Sequence, residues 1–190
     1  MNKLQEDNVF GEFIQKTTRI IEKGHSNFLN ELERALRKLI QTNSWLLIEK
    51  QVPGNKMYAR HSLYRDPLNR FEVLALVWKN GQVTPLHDHD GTWGLEGALY
   101  GRIHVRNFKK IKQLTKNTFE LQHIKNVSLG TGETDQILPP ADCHIIEVDK
   151  RNLAITIHVY GKQLECFKVF EPTDKPNIYS SKIYNTAYNS

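Results

Sequence analysis

TPLHDHDGTWGLEGALYG, residues 84–101, is the stretch whose reading decides the fold. His87 and His89 flank a single aspartate, and the segment closes on Gly94 and Gly101. In an extended strand successive side chains point to opposite faces, so an HxH pair aims both imidazoles at the same face. Two imidazoles side by side make two adjacent corners of a metal site. An isolated HxH is weak evidence, and its surroundings give it weight. Just upstream, FEVLALVW (71–78) is a short apolar run of strand formers, stopped by Asn80–Gly81.

Working outward, short strand-like stretches follow near residues 92–99, 103–108, 118–123, 135–138, 144–148 and 153–160. Turn residues separate them, among them Lys116–Asn117, Gly130–Thr131–Gly132, Pro139–Pro140 and Lys150–Arg151–Asn152. Many short strands at this spacing indicate a sandwich or small barrel. Residues 1–50 read as helical. Val9, Phe10, Phe13, Ile14, Ile20 and Ile21 recur at helical spacing up to Gly24. Ser26 or Asn27 is positioned to cap a second helix with an apolar face of Phe28, Leu29, Leu32, Leu36, Leu39 and Ile40. This segment is expected to pack against the sheet. The tail over 172–190, rich in asparagine and serine, is expected to be loosely anchored. The organisation expected is one domain over 1–190, with a barrel over about 56–170.

Composition excludes several classes of function. The chain is 39% hydrophobic and 25% charged, with a mean hydropathy of −0.54. No stretch approaches the roughly 18 uncharged apolar residues of a membrane span. The first residues lack the apolar run of a signal peptide, so a cytoplasmic location is expected. The net charge of +5 comes from basic residues spread along the chain, with short clusters such as Lys109–Lys110–Lys112 and no basic stripe interleaved with aromatics. Nucleic-acid binding is therefore not expected. Cys143 and Cys166 lack zinc-ribbon or CxxC spacing and read as free thiols.

The spacing Gly81-x5-His87-x-His89-x4-Gly94-x6-Gly101 resembles the first cupin motif, with Gly94 where that motif carries a glutamate. Gly132, Pro139 and Cys143–His144 resemble the second motif loosely, His144 supplying its histidine. The resemblance covers about residues 70–160. It implies a mainly β fold, a cupin small β-barrel (jelly-roll) preceded by the N-terminal helical segment. Without the glutamate, three neutral imidazoles leave a divalent metal its full charge and open positions for an anionic substrate. Imidazole suits Fe, Zn, Cu and Ni alike, so the ligands do not choose among them. Glu96, two residues beyond the usual glutamate position, falls on the same strand face and is a further ligand candidate.

The segment from Tyr58 to Gly101, with PPADCHIIEV and AITIHVYG, is similar to the cysteine dioxygenase and small-thiol dioxygenase family, in its bacterial form. That resemblance implies a non-haem Fe(II) centre on His87, His89 and His144. It makes Tyr160, His158 and Thr156 a catalytic relay, with threonine replacing the family's usual serine. Strand alternation independently puts these three on one face. Tyr58 and Arg60 match the Tyr-x-Arg segment whose arginine pairs with the substrate carboxylate, a planar group that suits a guanidinium fork. Taken alone, Arg60 reads as a surface arginine, His158 as a core histidine and Tyr160 as a strand aromatic. Their coincidence carries the functional reading.

The resemblance implies a small thiol carboxylate and O2 as partners, most directly L-cysteine oxidised to its sulfinic acid. In mammalian members a cysteine at the Gly94 position cross-links to the tyrosine matching Tyr160. With glycine there, no Cys–Tyr cross-link is expected. Tyr160–Gly161 and Trp93 look more like members using 3-mercaptopropionate, which carry glutamine where this chain has Arg60. Two other readings share the three histidines: a Zn or Mn cupin acting on a small acid, and a ligand-binding cupin without catalysis. Oligomeric state is left open by the sequence.

Overall fold

The computed structural model describes residues 3–42, 44–54 and 57–188, and side chains from residue 9 onward. The chain is mainly β. Among the described residues, two helices, α1 (Lys3–Lys23) and α2 (Phe28–Ile40), and a 3-10 turn (Ile48–Gln51) precede eleven strands. These are β1 (Ala59–Arg65), β2 (Glu72–Trp78), β3 (Leu86–His87), β4 (Gly94–Tyr100), β5 (Arg102–Thr115) and β6 (Thr118–Gly130). They continue with β7 (Thr134–Ile137), β8 (Cys143–Val148), β9 (Ala154–Tyr160), β10 (Cys166–Pro172) and β11 (Ile178–Asn185). One sheet runs β1-β2-β9-β4-β7, and β10-β11-β6-β5-β8-β3 form a closed set. The paired strands are antiparallel.

The continuous apolar run of β2 has a direct cause: its two faces serve two cores. Val73, Ala75 and Val77 pack in one cluster with Leu32, Leu36 and Leu39 of α2. Leu74, Leu76 and Trp78 point into the barrel with Ile103, Val105, Ile146 and Val148. The same division splits β9. Ile155, Ile157 and Val159 face the helices, while Ala154 and Tyr160 belong to the barrel core. By alternation Thr156 and His158 share that interior face. The helical segment thus covers the outside of the sheet that carries Arg60, Thr156, His158 and Tyr160, while His87 and His144 lie on strands of the other set. Asn27 occupies the N-cap of α2, but its side chain accepts from Asn30 rather than from a backbone N–H.

Two expectations need correction. The tail is not loose. Residues 178–185 form β11, paired along its length with β10 and at its start with β6. IYSSKIYN has no apolar alternation, and only Ser181 is buried, so its pairing rests on backbone hydrogen bonds that periodicity does not register. The barrel accordingly runs past 170, while its expected start near Lys56 lies outside the described residues. Secondly, β5 and β6 are about twice as long as expected. Residues 109–115 of β5 pair in register only with β6, whose own start pairs with β11, and the added residues 109–115 and 124–128 are mostly exposed and so carry no burial pattern. Among the described residues, no helix is long and apolar enough to cross a membrane.

Candidate active site

His87 on β3 and His144 on β8 are register partners, and His89 lies just past the end of β3. All three are buried, and one ligand atom from each lies within 4.8 Å of the others. Ring centroids are separated by 5.2, 4.7 and 4.7 Å. Only His87 is in the strand itself, and His89 joins the cluster from the irregular segment just beyond it.

The tautomers follow from the acceptors. His87 Nδ1 is 3.0 Å from the Pro85 carbonyl, and His89 Nδ1 is 2.8 Å from the Asp142 carbonyl. A carbonyl only accepts, so both Nδ1 atoms carry protons and both Nε2 atoms present lone pairs. His89 Nε2 and both ring nitrogens of His144 have no hydrogen-bond partner. Burial lowers the basicity of all three rings, most strongly at His89 and His144, where the neighbouring histidines add to it. Three neutral imidazoles with unsatisfied buried nitrogens fit a divalent transition metal, which would satisfy groups that are otherwise costly to bury.

Around the cluster, Lys110 of β5 reaches Asp88 at 2.9 Å and Asp142 at 3.3 Å. Each aspartate adjoins the ligand segments, Asp88 between His87 and His89 and Asp142 two residues before His144. Asp88 also accepts from the Lys168 backbone N–H. Lys110 therefore ties the two histidine-bearing segments together. Sequence reading saw only a basic cluster there; the acidic residues flanking the histidines were the available signal.

Thr156, His158 and Tyr160 are all buried and form a hydrogen-bonded line. Thr156 Oγ1 lies 2.8 Å from His158 Nε2, and Tyr160 Oη lies 3.1 Å from His158 Nδ1. The Tyr160 ring stacks on His89 at 5.3 Å, bringing this line against the histidine cluster. Burial first, then the Arg60 charge and His87, lower His158 to about 3, so it is neutral at physiological pH. Burial raises Tyr160, partly offset by Arg60, and its hydroxyl stays protonated.

Arg60 on β1 is only 5% exposed. Its Nη2 donates to the Leu164 carbonyl at 3.3 Å and lies 3.8 Å from Glu72. Its charge reaches His87, His158 and Tyr160, so the arginine belongs to the same polar interior. The Tyr58 ring packs on Trp78 in a tilted pair, centroids 4.3 Å apart. Glu96 stands apart from the three-histidine group. It pairs in register with His158, and its oxygens lie 3.9 Å from Nδ1 of His144 and of His158. Burial, reinforced by Asp135, pushes this carboxyl up to about 8. It is a neutral acid beside the cluster at neutral pH.

Two glycines allow close packing at the rim. A Cβ on Gly94 would sit 2.9 Å from the Tyr160 ring. One on Gly161 would collide with the indole of Trp93, whose carbonyl accepts from the Gly161 N–H.

Known proteins place the chain as follows. The family model PCO_ADO, for plant cysteine oxidase and cysteamine dioxygenase, matches residues 35–153, more than half of the chain. The matched span takes in all three histidines, Tyr58 and Arg60, while Thr156, His158 and Tyr160 lie just beyond it. Among solved structures, the TT1209 protein from Thermus thermophilus is 16% identical over 62% of this chain and 95% of that one, with a TM-score of 0.46. A double-stranded β-helix protein from Klebsiella pneumoniae is 14% identical over 68% and 92%, TM-score 0.46. An oxalate oxidase in complex with glycolate is 15% identical over 73% and 65%, TM-score 0.47. By the family match, with the three-histidine cluster set in a double-sheet β fold, the chain belongs to the plant cysteine oxidase/cysteamine dioxygenase family of cupin thiol dioxygenases.

Proposed function

We propose that this protein oxidises a small carboxylate-bearing thiol, most directly L-cysteine, to its sulfinic acid with O2 at an iron(II) centre on His87, His89 and His144. Both oxygen atoms enter the product, RSH + O2 → RSO2H, so the sulfur loses four electrons and O2 gains four. Iron(II), held by three neutral imidazoles, supplies the redox chemistry and a positive charge that a thiolate neutralises. Tyr160 offers a protonated hydroxyl to the reacting groups, held in place by His158 and Thr156. Arg60 pairs with the substrate carboxylate, with Tyr58 packed beside it.

The observation that carries this reading is the contact between the two halves of the site. The Tyr160 ring stacks on the ligand candidate His89, while its hydroxyl is held by a buried, neutral His158. A metal cupin acting on a small acid gives that pairing no particular role. Arg60 favours a carboxylate thiol over cysteamine, which the family's name also includes. The Gly161 marker for 3-mercaptopropionate carries less weight, because the Trp93 indole resting on Gly161 explains it by packing. A reducing, cytoplasmic setting suits two free cysteines, one of them buried. The test is O2 uptake by the iron-loaded protein with L-cysteine, 3-mercaptopropionate and cysteamine, with sulfinate quantified. Uptake matched by sulfinate is the expected result. Its absence with all three thiols would sink the reading.

A further inference from the structure

His87 and His89 each give their Nδ1 proton to a backbone carbonyl, of Pro85 and of Asp142. His144, the third member of the cluster, has no such partner among the described residues: both of its ring nitrogens lack a hydrogen bond. The residue is 1% exposed, so bulk water does not supply one. A histidine that ligates a metal through one nitrogen usually donates the N–H of the other to a carbonyl or carboxylate, which fixes its tautomer and orientation. For His144 that acceptor has to come from a side chain.

Glu96 is placed to be it. On β4, Leu95 packs toward the helices and Ala98 into the barrel, so alternation turns Glu96 inward. Strand β4 belongs to the five-stranded sheet and β8, which carries His144, to the closed set, so the two side chains meet inside the barrel. Glu96 Oε1 stands 3.9 Å from His144 Nδ1, and Oε2 stands 3.9 Å from His158 Nδ1. The His158 Nδ1 is already engaged with the Tyr160 hydroxyl at 3.1 Å, which leaves His144 as the neighbour in need of a partner. Glu96 is as deeply buried as His144, and its Oε2 also lacks a hydrogen bond. Leaving such groups unpaired inside a protein is costly, and closing the gap by about 1 Å makes the bond. A carboxyl has acceptor capacity in either protonation state, so the contact does not depend on the charge of Glu96. With Nδ1 turned to Glu96, Nε2 is left for the cluster, the same nitrogen that His87 and His89 present.

We propose that Glu96 is the positioning residue of His144, accepting its Nδ1–H and so directing Nε2 at the metal. This rests on the reading of the three histidines as metal ligands. Glu96 itself lies outside the group of side chains that could hold the ion, and acts on the metal only through His144.

The experiment reads the metal site directly, with Co(II) in place of iron. Wild type, Glu96→Gln and Glu96→Leu are loaded with Co(II), and their paramagnetically shifted proton spectra are compared in H2O and D2O. Wild type should show three exchangeable imidazole N–H signals, one for each histidine. Glu96→Leu removes the acceptor. One signal should move and exchange faster with solvent, while the two bonded to backbone carbonyls stay in place. Chelator competition should show Co(II) held about 10–100-fold more weakly by this variant. Glu96→Gln keeps an acceptor oxygen of the same reach, so one signal should move while affinity stays within about threefold of wild type. Should Glu96→Leu not fold, the single moved signal in Glu96→Gln still decides the matter. Three unmoved signals in either variant would overturn the role. So would a loss of affinity in Glu96→Gln as large as in Glu96→Leu, since an amide acceptor would then not substitute for the carboxyl. Wild type that binds no Co(II), or shows no shifted imidazole signals, would mean that the three-histidine reading itself fails, and the role of Glu96 with it.

Discussion

The indole N–H of Trp78 on β2 donates to the Thr156 hydroxyl on β9 at 2.9 Å, and this one bond gives the hydrogen-bonded line from Thr156 to Tyr160 its direction. An indole nitrogen only donates. A buried hydroxyl that accepts from it satisfies its own proton by donating to its other partner, His158 Nε2. His158, being neutral, then carries its proton on Nδ1 and donates to Tyr160 Oη. Thr156→Val keeps the shape and removes the hydroxyl. It leaves the Trp78 N–H without an acceptor, a loss of about 1–3 kcal/mol, and leaves His158 free to adopt either tautomer. Melting temperature and turnover should both fall, and Thr156→Ser should restore both. Matching behaviour of the two variants in O2 uptake would remove the relay from the account.

Tyr160 receives its hydrogen bond from His158, so its own proton remains available as a donor toward the histidine cluster. Burial keeps that hydroxyl protonated. Tyr160→Phe should slow sulfinate formation about a hundredfold, the lower end of what a positioned proton donor contributes. Iron content per chain should not change, because the ring still stacks on His89. Since His158 titrates near 3, the wild-type rate should show no inflection between pH 5 and 8 from this residue. Rate profiles of wild type and Tyr160→Phe, each with iron assayed, check both statements.

The parts of this architecture legible in the sequence were those whose physics is periodic. β2 could be read from its apolar run, and Thr156, His158 and Tyr160 share a face because strand alternation requires it. His87, His89 and His144 were legible from motif spacing, although one of the pair lies beyond the strand that was expected to hold both. What stayed hidden depends on contacts between distant segments. Trp78 read only as the end of an apolar strand and lies in the core, yet its N–H sets the direction of the hydrogen-bonded line. Lys110 read as one of several surface cations and proves to join two aspartates 54 residues apart. Strand β11 gave no signal at all, because pairing by backbone leaves no mark on side-chain pattern.

Lys110 is the link whose loss should be felt at the metal. It joins Asp88, set between His87 and His89, to Asp142, whose carbonyl fixes the His89 tautomer. Lys110→Met preserves the stem of the side chain and removes the charge, leaving two buried carboxylates facing one another. Outer partners of metal ligands typically contribute about 10–100-fold in affinity. Competition between the protein and a chelator for Co(II) should show a loss of that size. The exposed neighbours provide the control: Lys109→Met and Lys112→Met should bind Co(II) as wild type does.

Asp66 is where the turn between β1 and β2 is held, and where stability should follow pH. Its carboxylate accepts from Arg70 Nε at 2.8 Å and Nη2 at 2.6 Å and from the backbone N–H groups of Leu68 and Arg70, while Arg70 continues to Glu22 on α1. The hydrogen bonds from the Arg70 side chain, more than its charge, hold this carboxyl below the ordinary aspartate range. A carboxyl whose folded value lies below its unfolded one stabilises the fold fully above about pH 4 and loses that contribution as pH falls through the lowered value. Asp66→Asn keeps the volume and removes the charge. Partly screened by solvent, the loss should be about 1 kcal/mol, or about 2–4 °C in Tm, at neutral pH. Thermal melts across pH should show the wild-type and Asp66→Asn curves converging only in strong acid. A gap that widened as pH fell would mean the turn is held by something other than the ionised carboxylate.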